Sequence, residues 1–140
     1  MDRLEEFVRT HKITEIECLV PDISGIARGK IIPAEKLLRI LRERGMPIPE
    51  SVFVQTVTGD YPDGDIMSPS LGDVYMIPDE STVRLVPWYK EPTAQIICDA
   101  YNGDDTPVNF SSRYILRKII QEYNKRGWQP VTAPELEFYL

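Results

Sequence analysis

The segment that decides the fold is "EIECLVPDISGIARGKIIP", residues 15–33. Its first part alternates partly between apolar and polar residues, reaches the turn "DISG" and returns as "IARGKII", which predicts a β-hairpin over residues 15–32. Gly25 relieves the tight turn, because glycine adopts positive φ without steric cost. Pro33 suits the first turn of a helix. The segment therefore predicts a hairpin followed directly by a helix.

The helix after the hairpin has an apolar face and a clear end. Gly45 and Pro47 supply the stop signal. A short helix from Asp2 to about Thr10 precedes the hairpin, and further strands are expected near residues 74–77 and 94–100. A hairpin with a packed helix is typical of a β-grasp-like α+β unit. The apolar positions of the helix that follows the hairpin are Leu37, Leu38, Ile40 and Leu41.

Composition excludes several classes of protein. The 140 residues are 42% hydrophobic and 27% charged, which is typical of a soluble globular protein. A net charge of −6 argues against nucleic acid as the main partner. The sequence has neither an 18-residue apolar run nor a secretory leader, so we expect a cytoplasmic protein without a membrane partner. Cys18 and Cys98 lie in apolar, strand-like runs, and we interpret them as small core residues rather than a disulfide or metal pair.

Residues 50–92 are rich in proline, aspartate and glycine, yet they also contain aromatic residues. This combination predicts ordered loops rather than a flexible linker. Such an excursion can form a binding surface, or it can cover the edge of a sheet.

The end of the chain predicts a helix and then a strand. "NFSSRYILRKIIQEYNKRGW", from Asn109, has a helical apolar stripe and a glycine at its end. In "TAPELEFYL", residues 132–140, strand alternation places Glu135 and Glu137 on one face. Their carboxylates could converge on a metal ion, or they could belong to an ordinary solvated strand face.

Six pieces of this sequence, in order, resemble the N-terminal portion of the glutamine synthetase family. They are "DISGIARGK", "TGDYPDGDIM", "IPDESTVRLVPW", "AQIICDAY", "SSRYILRKII" and "APELEFYL". The wording of "ESVFVQTVTGDY" and "LVPWYKEPTAQIICD" is similar to the γ-glutamylputrescine, or γ-glutamyl-polyamine, synthetase branch. Members commonly carry proline where Ser112 stands here.

The resemblance implies an α+β fold in two parts. Residues 1–107 would form the β-grasp-like N-terminal domain, and residues 108–140 would be the first helix and strand of a truncated catalytic domain. By the same resemblance, Glu135 would bind the metal nearer the nucleotide phosphates and Glu137 the metal nearer the glutamate. The implied metals are Mg²⁺ or Mn²⁺, which prefer hard oxygen ligands.

The reaction that the resemblance implies is ATP-dependent joining of glutamate to an amine, here a polyamine such as putrescine, through an acyl phosphate. The substrates would be glutamate, the amine and ATP, and the 140-residue chain alone would be inactive. The family assembles as homo-oligomers of stacked rings, in which the loop around residues 58–65 would reach the rim of a neighbour's site. Asp60 or Asp63 could attract the amine there, although turn formation explains both residues as well.

Two alternatives to a polyamine ligase stay open from the sequence. The first is glutamine synthetase proper, with ammonia as the amine. The second is a free-standing β-grasp module with an oligomerisation or regulatory role and no catalysis. The carboxylate-bearing strand at the end favours a ligase fragment, because a free-standing module would gain nothing from it.

Overall fold

A computed structural model describes residues 2–61 and 72–140 of the chain. Two 3₁₀ helices, Glu50–Val54 and Glu80–Thr82, supplement the main elements. No helix in these two ranges is both long and apolar enough to cross a membrane. In chain order, the main elements are α1 (Asp2–His11), β1 (Glu15–Pro21), β2 (Ala27–Pro33), α2 (Ala34–Glu43), β3 (Met46–Pro49), β4 (Asp73–Pro78), β5 (Arg84–Val86), β6 (Thr93–Tyr101) and α3 (Ser112–Lys125).

The strands form one mixed sheet in the order β2-β1-β6-β4-β3, and β5 pairs with β6 off this path. β1 and β2 are the predicted antiparallel hairpin, and Gly25 in their turn has φ +79°. β1 also pairs with β6 in parallel, with Cys18 opposite Ile96. The predicted α+β class, the hairpin and the helix after it are therefore confirmed.

The core lies between the two N-terminal helices and the central strands. Leu4 of α1, Leu37 of α2 and Phe53 are buried in one cluster with alternate residues of β1 and β6. Cys18 and Cys98 are both buried and free, so the prediction of core cysteines is confirmed. A hydrogen bond with Cys18, and then burial, raises the pKa of the Cys98 thiol. The Cys98 thiol is therefore held in its neutral form.

The sequence did not predict β3 and β5. β3 is "MPIP", and two prolines within four residues are unfavourable for a strand inside a sheet. Among the strands of residues 2–61 and 72–140, β3 pairs with β4 alone, so Pro47 and Pro49 have no second neighbour there that needs their missing N–H groups. β5 is three residues long, too short to show a periodic pattern.

The end of the chain differs from the prediction in one respect. The predicted helix forms as α3, but the strand expected over residues 132–140 does not: residues 129–140 have no secondary structure and are exposed. A strand needs a neighbour for its backbone hydrogen bonds, and none of the strands in residues 2–61 and 72–140 lies beside this segment. Glu135 and Glu137 are thus not held on one strand face.

Candidate functional site

The loop of residues 55–61 follows the first 3₁₀ helix and is closed by its own backbone. The Thr56 amide donates to the Asp60 carbonyl at 2.9 Å, and the Gly59 amide donates to the Thr56 carbonyl at 2.9 Å. Gly59 has φ +87°, which side chains rarely permit. The Gln55 side-chain amide also donates to the Gly59 carbonyl at 3.1 Å. The loop is therefore a defined turn.

Asp60 lies at the exposed side of this turn. Thr58 Oγ1 donates to Asp60 Oδ2 at 2.7 Å, and the Asp60 amide donates to Thr56 Oγ1 at 3.1 Å. The neighbouring residue Tyr61 is 43% exposed, and its hydroxyl lies 3.5 Å from Ser51 Oγ. An exposed carboxylate next to an exposed aromatic ring is suited to an organic cation. The predicted second carboxylate, Asp63, lies outside the described residues.

The loop rests on the turn of the β1–β2 hairpin. Arg28 donates through Nη2 to the Thr56 carbonyl at 3.2 Å and through Nε to Asp22 Oδ2 at 2.8 Å. The Ile23 amide donates to the Phe53 carbonyl at 3.0 Å. Sequence reasoning identified "DISG" as a turn but missed these contacts, because nothing in the hairpin sequence shows where the loop of residues 55–61 will lie.

Four charged side chains attach α3 to the sheet. Arg113 contacts Asp79 at 2.6 Å and Asp99 at 2.8 Å, and Arg117 contacts the same two carboxylates at 3.0 and 2.7 Å. The pKa of Asp79 is lowered, most by the Ser81 hydroxyl and further by Arg113, although partial burial opposes the change. The sequence separates these residues too widely for spacing to have predicted the cluster.

Ser112 explains the departure from the proline that the family resemblance leads us to expect at the start of α3. Its Oγ donates to the Asp22 carbonyl at 3.0 Å. Proline has no hydroxyl and could not make this bond. The start of α3 and the hairpin turn are therefore joined at Asp22.

The structure does not assemble a metal site from the predicted glutamates. Glu135 and Glu137 are exposed in a segment without secondary structure. Within residues 2–61 and 72–140, no group of three or more His, Cys, Asp or Glu side chains could hold a metal ion. Mg²⁺ needs about six oxygen ligands in near-octahedral geometry. Two exposed carboxylates therefore do not by themselves fit a divalent metal.

Comparisons with known proteins give consistent relatives. The chain is 36% identical to a glutamate–isopropylamine ligase from Pseudomonas sp over 99% of its own length and 30% of that protein. It is 30% identical to the γ-glutamylputrescine synthetase PuuA of Escherichia coli K12 over 89% of its length and 26% of that protein. The fold matches a solved structure described as apo GmaS without ligand, with a TM-score of 0.72 and 19% identity, over 90% of this chain and 27% of that one.

These relatives are longer than the chain, which spans less than a third of their length. No protein-family model matches the sequence. The similarity nevertheless runs through nearly all of the chain, from the hairpin to the last residues. The fold comparison agrees with it independently of sequence identity. On these matches, the chain is similar over nearly its whole length to members of the glutamine synthetase family.

Proposed function

We propose that this chain is the N-terminal portion of an ATP-dependent ligase that joins the γ-carboxylate of glutamate to an amine. The observation that carries the proposal is the 36% identity with a glutamate–isopropylamine ligase across 99% of the chain. The chain alone is proposed to be inactive, since it spans 30% of that relative. We place the boundary between the N-terminal and catalytic domains at residues 107 and 108.

The reaction takes place in two steps. An oxygen of the glutamate γ-carboxylate attacks the terminal phosphorus of ATP, which releases ADP and leaves an acyl phosphate. The amine nitrogen then attacks the acyl carbon, and phosphate and a proton leave as the amide forms. The part of this chain suited to contribute is the exposed turn with Asp60, at the rim of the amine site.

We propose a polyamine such as putrescine as the amine. Putrescine is an extended dication at neutral pH, so it gains from a carboxylate and from an aromatic ring. Asp60 and Tyr61 provide both groups on the loop of residues 55–61. Ammonia is small and would gain far less from that loop. The similarity to a γ-glutamylputrescine synthetase supports this choice.

Glu135 and Glu137 remain our proposed ligands for Mg²⁺ or Mn²⁺ in the complete protein. A divalent ion there would neutralise charge on the phosphates. Further oxygen ligands are required, because the two glutamates are insufficient alone. We also propose a cytoplasmic enzyme that assembles as a homo-oligomer of stacked rings.

The test is steady-state kinetics on the complete protein with Asp60→Asn and Tyr61→Ala. We expect the KM for putrescine to rise several-fold, because each lost contact is worth about 0.5 to 2 kcal/mol, while the KM for ATP barely changes. Asp104→Asn is the matched control. Asp104 is also an exposed turn aspartate, and it accepts a hydrogen bond from Thr106 Oγ1 at 2.6 Å.

Three results would overturn the proposal in different ways. If ammonia is by far the better substrate, plain glutamine synthesis replaces the polyamine reaction. If both loop variants leave the putrescine kinetics unchanged, Asp60 is a turn residue only. If the complete protein forms no γ-glutamyl amide with any amine, the interpretation as a non-catalytic β-grasp module is preferred.

A further inference from the structure

Asp22 is a buried carboxylate at the start of the hairpin turn. Both of its side-chain oxygens accept hydrogen bonds from this chain. The residue is 1% exposed. Its Oδ1 accepts hydrogen bonds from the Ser24 amide at 2.9 Å and the Ile26 amide at 2.8 Å, and its Oδ2 accepts from Arg28 Nε at 2.8 Å. A buried carboxylate with three hydrogen-bond donors is fixed in place, because losing any donor would leave part of its buried charge without a hydrogen-bond partner.

Arg28 extends this fixed point to the loop of residues 55–61. One edge of its guanidinium group binds Asp22, and Nη2 donates to the Thr56 carbonyl. The group is planar and rigid, so the position of Asp22 determines where the Thr56 carbonyl can lie. A lysine carries the same charge on one nitrogen and cannot reproduce this planar fork.

Thr56 in turn holds Asp60. Its amide donates to the Asp60 carbonyl, and its Oγ1 accepts from the Asp60 amide at 3.1 Å. The path from the buried carboxylate of Asp22 to the exposed Asp60 therefore consists of a salt bridge and hydrogen bonds of 2.9 to 3.2 Å. The hydrogen bond from the Ile23 amide to the Phe53 carbonyl anchors the 3₁₀ helix that leads into this loop, where Phe53 is buried.

We infer that Asp22 and Arg28 are positioning residues for the amine site: they fix the turn of residues 55–61 and thereby set where Asp60 meets the amine. The inference rests on the proposed function of Asp60. The pair itself touches no substrate and acts through Thr56. Its effect is therefore on amine recognition rather than on ATP binding.

The experiment compares Arg28→Lys with Arg42→Lys in the complete protein. Arg42 makes an exposed ion pair with Glu5 at 2.9 Å, away from the loop, so it controls for the loss of one guanidinium group. Amide hydrogen exchange measures the turn at Thr56, Gly59 and Asp60. Kinetics measure KM for putrescine, KM for ATP and kcat. Asp22→Asn serves as the second variant, because it keeps the side-chain shape and removes the charge.

For Arg28→Lys we expect exchange at the three turn amides to accelerate several-fold and KM for putrescine to rise by about 2- to 10-fold, the size of one lost hydrogen bond. KM for ATP and the exchange of β1 and β6 should not change, and Arg42→Lys should match the unmodified protein. Asp22→Asn should change the same quantities in the same direction.

Unchanged turn exchange in both variants would overturn the inference, as would an equal loss for putrescine and ATP, which indicates general destabilisation. Asp60→Asn separates this failure from that of the proposed function. If Asp60→Asn raises KM for putrescine and Arg28→Lys does not, the positioning role is wrong and the amine site stands. If Asp60→Asn has no effect, the amine site itself is wrong.

Discussion

Two amphipathic helices in this protein are buried to different extents. α2 has 10 residues and buries Ala34 and Leu37 against the sheet. α3 has 14 residues and a comparable apolar stripe, yet it contains no buried residue. The exposed apolar side chains on and just after α3 are Ile115, Leu116, Ile119, Ile120, Tyr123 and Trp128.

The difference shows that an apolar stripe in a sequence indicates a helix but does not indicate which part of the protein covers the stripe. α2 follows the hairpin directly through Pro33, so its apolar face lies against the strands next to it in sequence. α3 contacts the sheet through Arg113 and Arg117 at one end instead. Hydrophobic burial therefore holds α2, whereas ion pairs and the hydrogen bond of Ser112 hold α3.

Cavity formation under α2 should give the largest effect. Leu37 is 0% exposed, so Leu37→Ala removes buried methyl groups from the core, and we expect a loss of about 2 to 5 kcal/mol in the free energy of unfolding. Leu116 on α3 is 59% exposed, and Leu116→Ala should cost less than about 0.5 kcal/mol. Urea denaturation of the chain measures both variants. Equal losses would contradict the comparison.

Breaking the polar attachment of α3 should have a smaller and more local effect. Arg113→Ala leaves Asp79 and Asp99, both partly buried, without one of their two cationic partners. We expect a loss of about 1 to 3 kcal/mol in the stability of the α3 attachment. Hydrogen exchange should accelerate across residues 112–125 and not in β6.

The control for that variant is Arg126→Ala, which removes an exposed ion pair with Glu122 at the other end of α3. Exposed ion pairs contribute little to stability, so the amide hydrogen exchange of residues 112–120 should match that of the unmodified protein. Should Arg113→Ala and Arg126→Ala behave alike, the attachment of α3 would not depend on Asp79 and Asp99.

The sequence predicted the parts of this fold that depend on local patterns. The hairpin, α2 and α3 each have periodicity and turn residues within a short window, and the strands near residues 74–77 and 94–100 are apolar. β3 was missed because it contains two prolines, which a strand tolerates only at the edge of a sheet. Which strand lies at the edge depends on the strand order, and the sequence does not show that order. The strand at 132–140 was predicted from alternation alone, but it needs a neighbour.

The residues of the candidate site were accessible to sequence reasoning to different extents. Asp60 is a candidate because the family resemblance places its loop at the rim of an active site, although turn formation explains this residue as well. Asp22 and Arg28 could not be identified, because their role depends on a contact between residues 28 and 56. Asp79 and Arg113 are likewise 34 residues apart. Long-range ion pairs leave no periodic pattern in a sequence.

Acid should weaken the α3 attachment selectively. The folded-state pKa of Asp79 is lowered, most by the Ser81 hydroxyl, so its contribution is present above the unfolded value and is lost as pH falls through the folded value. We expect α3 to loosen below about pH 4, before the α2 core unfolds. Carboxyl NMR titration should show the pKa of Asp79 rising towards the ordinary value in Ser81→Ala, with Ser24→Ala as the control. An unchanged pKa of Asp79 in Ser81→Ala would show that the Ser81 hydroxyl does not lower it.

The smallest effect we expect is metal binding by the segment after α3. Residues 129–140 have no secondary structure, so Glu135 and Glu137 are not preorganised in the way that the α2 core is. Two carboxylates supply too few of the roughly six oxygens that Mg²⁺ needs, and ordering the segment costs conformational entropy. Isothermal titration of the chain with Mg²⁺ should therefore show no binding tighter than the millimolar range, and Glu135→Gln with Glu137→Gln should barely change it. A micromolar affinity that disappears in the double variant would mean that this segment forms a metal site without the rest of the enzyme. The contrast between an ordered α2 region and an unorganised chain end would then no longer hold.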